Sequence, residues 1–200
     1  MDSFRIDLRS VLVGTLLGDG YIIHPKIGNV YYRFKQSVIH SEYFSLVFSI
    51  LKPWLTSGSP FFGSYFDNRP TKQKTYSNLT LTISTLFNSL LGIDYLASIF
   101  YYRNNEGKLI KKVPTCIKEL LTPIAFALWI MDDGHYVNGG IYLNVQSFSS
   151  EDLALLLSAL ESNFGIIGKL RKVSNPAQEG QLNPLQRAYF SFCQISSCYY

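Results

Sequence analysis

The sequence has few cysteines, no Cys-x-x-Cys spacing and no apolar stretch long enough to cross a membrane. Its three cysteines, Cys116, Cys193 and Cys198, are too irregularly spaced for a disulfide framework or a zinc site, so we expect buried free thiols in a reducing compartment. The longest apolar run, Ile124 to Met131, is far shorter than the roughly 18 residues of a transmembrane helix. We therefore expect no membrane partner.

Targeting signals and excess charge are also lacking. Asp2 follows Met1, and no basic segment precedes a short apolar stretch, so no cleaved signal is visible. Either the chain is made where it works, or an import signal has been removed. The formal net charge is only +4, from 18 Lys and Arg against 14 Asp and Glu. This balance permits a polyanionic partner without requiring one. With 200 residues, the chain can form one domain or two small ones that share a core.

A weak internal duplication is the main feature that the sequence does contain. Two apolar helix candidates end alike on Asp-Gly, since residues 12–20 read LVGTLLGDG and residues 126–134 read FALWIMDDG. Asp2 or Ser3 is predicted to cap the first helix, and Thr122, which precedes a proline, is predicted to cap the second.

The same series of elements follows each Asp-Gly. A strand candidate ending in Gln-Ser is followed by a helix and two more strands in both halves. The predicted strands are 30–37, 61–66 and 74–84 in the first half, and 141–147, 166–173 and 187–195 in the second. The order predicts a duplicated α+β fold, with residues 1–100 and 122–200 as its halves and residues 101–121 as a linker.

The paired Asp-Gly motifs suggest a metal site. Gly14 and Gly18 lie on one helix face, which lets a second helix approach closely. Two helices side by side would bring Asp19 and Asp133 together, where like charges repel unless a cation lies between them. Mg²⁺ prefers such oxygen ligands and can activate water for phosphodiester cleavage. A single Asp-Gly is more often just a helix-ending turn, but two copies within a repeat favour the site.

These motifs and the order of elements around them resemble the single-chain, two-motif LAGLIDADG homing endonucleases over nearly the whole chain. The resemblance implies a pseudo-two-fold αββαββ fold in which two motif helices pack together and antiparallel sheets form a saddle over DNA. Asp19 and Asp133 would be the catalytic, metal-binding acids, with Gly18 and Asp132 beside them in the metal site. The expected cofactor is Mg²⁺, with Mn²⁺ as a substitute and Ca²⁺ binding without cleavage.

The resemblance also implies a function and a setting. We expect site-specific double-strand cleavage for intron homing, at a long, non-palindromic target and with short 3′ overhangs. Both motifs lie in one chain, which favours a monomer. Members of this family are typically encoded in organellar introns, so the resemblance implies a mitochondrial gene or, alternatively, a chloroplast gene. Partners would be double-stranded DNA and possibly the host intron RNA.

Basic residues near the metals are implied as well. The run at residues 111–114, KKVP, resembles the family segment that supplies one, and Lys112 is our choice. In the second half, Lys172 and Arg187 are the candidates, and Arg187 is preferred.

Polar strand residues complete the predicted site. Gln36 and Gln146 resemble residues that approach the scissile bonds, although ordinary exposed strand positions explain them equally well. Strand-borne cations and amides are expected to contact phosphates and base edges as a set, since individually each is more often a solvated residue. The predicted DNA contacts are Lys26, Arg33, Lys35, Arg69, Lys72, Lys74, Asn78, Thr80, Tyr142, Asn144, Lys169, Arg171 and Lys172.

The sequence departs from the family pattern in two respects, and two other functions fit the same resemblance. Leu128 and Asp132 stand where the first motif has Gly14 and Gly18, so the helix contact should be less symmetric. The final helix usual in the family has no predicted counterpart. An RNA maturase that assists intron splicing would have the same fold, and a catalytically silent DNA-binding module is a third reading. The pair of acids favours a nuclease.

Overall fold

The computed structural model describes residues 7–25, 27–137, 140–145, 147–173 and 185–191 and contains one series of elements twice. The first copy comprises α1 (Leu8–Leu17), β1 (Gly20–Ile23), β2 (Tyr31–Ser37), α2 (Ser41–Leu51), β3 (Phe61–Asp67) and β4 (Lys74–Thr82). A connection follows with α3 (Asn88–Leu91), α4 (Ile93–Phe100), β5 (Tyr101–Arg103), β6 (Leu109–Lys111) and α5 (Ile117–Leu120). The second copy comprises α6 (Pro123–Asp133), β7 (Gly134–Val137), β8 (Gly140–Asn144), α7 (Ser150–Phe164), β9 (Gly168–Val173) and β10 (Leu185–Ser191).

Each copy folds its four strands into one antiparallel sheet with the same strand order. The order is β1-β2-β4-β3 in the first sheet and β7-β8-β10-β9 in the second. The register is equivalent too, because Gly20 of the first motif pairs with Phe34, and Gly134 of the second motif pairs with Leu143. The predicted α+β fold with two αββαββ halves is therefore confirmed.

The connection between the copies has regular structure. Strands β5 and β6 form a short antiparallel hairpin, and α5 packs against α7. Just after the hairpin, the backbone N–H of Val113 donates to the buried carboxylate of Asp152 at 2.8 Å. Residues 101–121 therefore contact both halves, because the hydroxyl of Tyr101 also accepts the backbone N–H of Ile22 at 3.0 Å. Their description as a linker, and the boundaries at 100 and 122, stay a prediction.

Side-chain caps start both motif helices. Asp7 caps α1, because its carboxylate accepts two backbone N–H groups of the first turn. The structure therefore corrects the predicted caps, Asp2 and Ser3, which lie outside the described residues and ahead of the helix start. Thr122 caps α6 as predicted and accepts the backbone N–H of Ala125 at 3.2 Å.

The helices α1 and α6 pack side by side, in the same direction, at backbone distance. Near their first turns the Thr122 hydroxyl donates to the Ser10 hydroxyl at 2.7 Å. A Cβ atom added to Gly14 would lie 2.4 Å from a backbone oxygen of α6, and one added to Gly18 would lie 2.4 Å from the Cβ of Asp132. The C-terminal ends of the two helices therefore meet.

Gly14→Ala should lower the free energy of unfolding by about 1–3 kcal/mol. The added methyl group would meet the carbonyl oxygen of Ala125, and the helices would have to separate because backbone cannot rotate away. Helix propensity alone predicts the opposite sign, since alanine is favoured over glycine by about 1 kcal/mol. Urea unfolding tests this, with Gly58→Ala as the control because a Cβ there meets nothing within 4 Å. A stabilised Gly14→Ala protein would contradict the close helix contact.

The core lies between the motif helices and the inner faces of the sheets. Tyr32 and Phe34 of β2 and Trp129 of α6 are fully buried there. The hydroxyl of Tyr32 donates to Thr15 at 2.7 Å and so ties β2 to α1. Because strand residues alternate between faces, the residues between these buried ones point to the outer face of the sheet.

The remaining predictions about the whole chain concern membrane spans, thiols and the chain end. No helix in the described part of the chain is long and apolar enough to cross a bilayer. Cys116 is a free, partly buried thiol, whereas Cys193 and Cys198 lie outside the described residues. Residues 192–200, where we predicted no final helix, lie outside them as well.

Candidate active site

Three aspartates meet where the motif helices end. Asp19 follows the last turn of α1, and Asp132 and Asp133 are the last residues of α6. The backbone N–H of Asp19 donates to Oδ2 of Asp132 at 3.1 Å, across the helix interface. The close packing of α1 on α6 thus joins the two Asp-Gly motifs into one acidic cluster.

The amide of Gln36 holds two of these acids. This residue of β2 points into the protein and is only 6% exposed. Its Nε2 donates to Oδ2 of Asp19 at 2.5 Å and to Oδ1 of Asp132 at 3.1 Å. Burial beside the acids does not fit an ordinary exposed strand residue, so the structure favours a role in the site for Gln36.

Burial and mutual repulsion disfavour the ionised forms of the acids. Desolvation, followed by the charge of Asp19, raises the pKa of Asp132 to about 8 and that of Asp133 to about 7. Desolvation also raises the pKa of Asp19, and the Gln36 hydrogen bond opposes that rise. Asp19 is also exposed to solvent, and water screens its charge. The cluster has too little positive charge around it for three carboxylates.

Lys111, at the end of β6, brings the nearest positive charge to the cluster. Its ammonium group donates to the carbonyl oxygens of Gly18 at 2.9 Å and Gly20 at 3.1 Å. Desolvation lowers the pKa of Lys111 to about 8, although Asp133, Asp132 and Asp19 all act to raise it. The carbonyl of Gly18, a predicted neighbour in the metal site, is therefore engaged by this lysine.

The contacts of Lys111 favour it over Lys112, the choice made from the sequence. Lys111, and not Lys112, contacts the first motif and lies in the electric field of the acids. Adjacent residues of an extended chain point to opposite faces, so only one of the pair can face the cluster. The sequence pattern at residues 111–114 indicated this segment, but two consecutive lysines do not show which of them points toward the acids.

Tyr43 is a neighbour of the cluster that the sequence did not reveal. Its hydroxyl, on α2, donates to the carbonyl oxygen of Leu128 at 3.3 Å and lies close to the Asp132 carboxylate. Desolvation and the nearby negative charge raise the pKa of Tyr43 well above its ordinary range. In the sequence this tyrosine is one of several aromatic residues on an amphipathic helix, which gave no signal.

The geometry can be compared with known proteins. A sequence profile of the LAGLIDADG DNA endonuclease family matches residues 9–178, a span that includes both Asp-Gly motifs. The chain belongs to the LAGLIDADG DNA endonuclease family. The fold is also similar to that of the homing endonuclease I-WcaI bound to its DNA recognition sequence, with a TM-score of 0.69 and 17% identity over 92% of this chain and 75% of that chain.

Curated relatives carry two kinds of name. DNA endonuclease I-ChuI of Chlamydomonas applanata is 29% identical over 87% of this chain and 79% of its own length. Cytochrome b mRNA maturase bI2 of Saccharomyces cerevisiae is 26% identical over 84% of this chain. The match spans only 39% of that longer protein. Membership of the LAGLIDADG family therefore does not by itself separate DNA cleavage from a maturase role.

The acids of this LAGLIDADG protein fit a divalent cation that is shared with substrate. Within the described residues, no group of three or more His, Cys, Asp or Glu side chains forms a ready-made metal cage. Mg²⁺ commonly binds through one or two carboxylates and takes its other ligands from water and phosphate. Asp19 and Asp133 offer such carboxylates. Burial is the main cause that raises the pKa of each, and a cation beside them would favour their ionised forms.

The register shows that Gln146 is not the strand equivalent of Gln36. Gln36 lies two residues after Phe34, and the position two residues after Leu143 is occupied by the fully buried Val145. Gln146 is one position further and lies outside the described residues. The matching Gln-Ser pairs that suggested the alignment are therefore offset by one residue.

The outer face of the first sheet carries most of its predicted DNA contacts. The Lys35 ammonium lies 5.7 Å from the ring centre of Tyr65, and that of Lys74 lies 5.8 Å from the ring centre of Tyr76. The two tyrosine rings stack with centres 5.5 Å apart. Pairing of β2 with β4 and the alternation along each strand place the remaining candidates on the same face, namely Arg33, Asn78 and Thr80.

Three predicted DNA contacts of the first half are not among the residues placed on the outer face of the first sheet. The guanidinium of Arg69 is paired with Asp67 through Nε bonds of 2.8 and 3.0 Å, which lowers the pKa of Asp67 to about 2. Its charge is thus largely neutralised within the β3–β4 turn, which weakens the prediction that it binds phosphate. Lys72 lies exposed in the same turn, and Lys26 lies outside the described residues.

The second sheet presents a similar outer face. Tyr142 stacks on His135 with ring centres 5.4 Å apart. The register puts Lys169 in the row of Tyr142, and it puts Arg171 and Arg187 in the row of Asn144. Lys172 pairs with Gln186, one position along the strand from Arg171, and its contact with DNA stays a prediction. The side chains of residues 171, 172 and 187 lie outside the structural description.

Asp132→Asn should remove much of the pH dependence of stability in metal-free protein. Because the pKa of folded Asp132 is raised from 3.8 to about 8, the folded state retains a proton that the unfolded chain has released. Wild-type stability therefore falls as pH rises through this window, whereas asparagine, which mimics the protonated acid, avoids the loss. The free energy of unfolding of Asp132→Asn, relative to that of wild type, should rise by at least about 1.4 kcal/mol between about pH 5 and pH 8.

Urea unfolding in EDTA at both pH values measures this difference, with Asp94→Asn on the exposed face of α4 as the control. Equal pH dependence in wild type and Asp132→Asn would show that the carboxylate is already ionised and compensated in the folded protein.

Proposed function

We propose that this chain is a site-specific DNA endonuclease of intron homing, which cuts both strands of a long, non-palindromic target and leaves short 3′ overhangs. The observation that carries the proposal is the joined acidic cluster, in which Asp19 of one motif is hydrogen-bonded to Asp132 of the other. The first strand of each sheet, β1 or β7, begins directly after Asp19 or Asp133, and the two sheets have equivalent topology and carry cations and amides on their outer faces.

Asp19 and Asp133 are the proposed catalytic acids and metal ligands, with Asp132 and the Gly18 carbonyl beside them. A divalent ion held by these residues would act as a Lewis acid that makes a bound water more acidic and offsets negative charge on the phosphate. Gln36 fixes the orientation of the Asp19 carboxylate through its amide. We propose Mg²⁺ as the ion, with Mn²⁺ able to replace it and Ca²⁺ able to bind without supporting cleavage.

Positive charge and strand position support the other roles. Lys111 places an ammonium group beside the acids, where it would stabilise negative charge that develops on the phosphate. Arg187, paired in register with Asn144, remains the proposed basic residue of the second half. Since one chain contains both halves of the site, a monomer can read an asymmetric target.

The setting is an organellar intron, and mitochondrion is the proposed compartment, with chloroplast as the alternative. Support comes from relatives with intron-related names, including an intron-encoded endonuclease of Dictyostelium discoideum that is 34% identical over 35% of this chain. The yeast relative named a maturase favours a second candidate function, binding of the host intron RNA. Preferential binding to that RNA over an unrelated RNA at moderate salt would support it, and equal binding would reject it.

The experiment that tests the nuclease proposal uses plasmids that contain the uninterrupted host-gene junction. Purified chain is incubated with Mg²⁺, with Ca²⁺ or with EDTA, and the ends of any product are mapped. A double-strand cut at one position with Mg²⁺ alone is the expected result. Binding in Ca²⁺ without cutting in Mg²⁺ or Mn²⁺ would reject the proposed reaction.

A further inference from the structure

Arg33 differs from the lysines on the outer face of the first sheet because two contacts fix its side chain. It is half-buried in the middle of β2. Its Nε donates to the hydroxyl of Thr82 at 3.3 Å, and Thr82 is the residue directly opposite on β4. Its guanidinium carbon lies 5.5 Å from the ring centre of Tyr31 on the same face. The plane of the guanidinium group is therefore held before any ligand arrives.

The terminal amino groups of Arg33 have no hydrogen-bond acceptor among the residues that the structure describes. Other arginines nearby are committed differently. Arg69 donates to the Asp67 carboxylate, and Arg103 uses both terminal nitrogens on backbone carbonyl oxygens. Arg33 thus keeps a two-donor edge available for a ligand.

Arg33 lines an open cavity of about 460 Å³. Thr80, Thr82 and Phe61, which the strand register places on the outer face, line one side, and the loop at residues 55–60 lines the other. The lining contains several hydroxyl groups and no acid. It therefore suits a ligand edge that accepts hydrogen bonds and is open to the same side as the neighbouring lysines.

We propose that Arg33 reads one guanine in the half of the DNA target that the first sheet covers. This inference rests on the proposed endonuclease function. Guanine presents two acceptors, O6 and N7, to the major groove, and the arginine fork can donate to both at once. A side chain that is already oriented loses less conformational entropy on binding. Lys35 and Lys74 are better suited to phosphates, because an ammonium group is a point charge without fork geometry.

The test is selection of bound DNA from a randomised target library by the full chain in Ca²⁺ buffer. Wild type should favour guanine at one position by about 5- to 150-fold. In Arg33→Lys, which keeps the charge and loses the fork, that preference should fall at least about fivefold while preferences elsewhere are retained. Arg103→Lys is the matched control and should keep every preference.

Thr82→Val is the second variant, because it leaves Arg33 in place and removes the hydroxyl that holds it. It should weaken the same guanine preference, and thermal melting confirms that each variant is folded. Loss of affinity without a change in base preference would assign Arg33 to a phosphate and overturn the inference. A guanine preference that is retained in both variants would also overturn the inference. If wild type shows no preference at any position, the proposed function itself is rejected, and the inference falls with it.

Discussion

Replacing Asp19 with asparagine should reduce double-strand cleavage by on the order of 10³-fold while DNA affinity changes by no more than about threefold. Asparagine has nearly the same shape, but it removes a negative charge and a carboxylate oxygen from the proposed metal site. DNA affinity should persist because it arises mainly from phosphate and base contacts on the two sheets. The fold should persist too, since the backbone N–H of Asp19, which bonds Asp132, is unchanged.

Cleavage of supercoiled plasmid separates the two strand cuts, because one cut gives a nicked circle and two give a linear product. The linear product should disappear in Asp19→Asn, and any remaining nicking would come from the site served by Asp133. Binding is measured in Ca²⁺, and Asp94→Asn on α4 serves as an Asp-to-Asn control away from the cluster. Full cleavage by Asp19→Asn would show that its carboxylate is not needed for the reaction, and collapse of binding together with folding would assign the acid a structural role.

Much of the fold was predictable because local and repeated signals agreed. Apolar periodicity located the two motif helices and the helix that follows in each half, and alternation located three strands of each sheet to within a few residues. The short strands β1 and β7 and the elements of the connection were not predicted. The duplication predicted two equivalent halves, and the sheets confirm it with the same strand order. Thr122 was predictable as a cap because a cap residue followed by proline is a local helix-start signal.

The pairing of the motif helices was predictable in outline, but its asymmetry was not. Gly14 and Gly18 indicated a close helix contact, and both would clash with α6 if they carried a Cβ atom. The sequence did not show that Gly18 makes room for Asp132, so that the second motif supplies an acid that bonds the backbone of the first. The two motifs therefore differ at this position because the glycine of one leaves space for the aspartate of the other.

Other residues of the site depended on three-dimensional facing that sequence does not encode locally. Gln146 was aligned with Gln36 through a shared Gln-Ser, whereas the register gives that position to Val145. A one-residue offset moves a side chain to the other face of a strand. The sequence also does not show on which face of the strand Lys111 and Lys112 lie. Only the path of the β5–β6 hairpin decides which of the two lysines reaches the acids.

Lys111→Met should reduce cleavage by about 10²-fold or more, whereas Lys112→Met should change it by less than about threefold. Methionine keeps a long apolar stem and removes the ammonium group that bonds the carbonyls of Gly18 and Gly20. It also removes the nearest positive charge from acids whose pKa values are already raised. The two variants make the same chemical change at adjacent positions, so their difference isolates position from chemistry.

Binding in Ca²⁺ and thermal stability distinguish a role in cleavage from a purely structural one. If Lys111 stabilises charge on the cut phosphate, cleavage should fall far more than affinity or melting temperature, and wild-type cleavage should decline as pH rises above about 8, where the lysine loses its proton. If the lysine only ties β6 to the first motif, stability and binding should fall together with cleavage. A larger loss in Lys112→Met than in Lys111→Met would restore the choice made from the sequence and would mean that the hairpin presents its other face when DNA is bound.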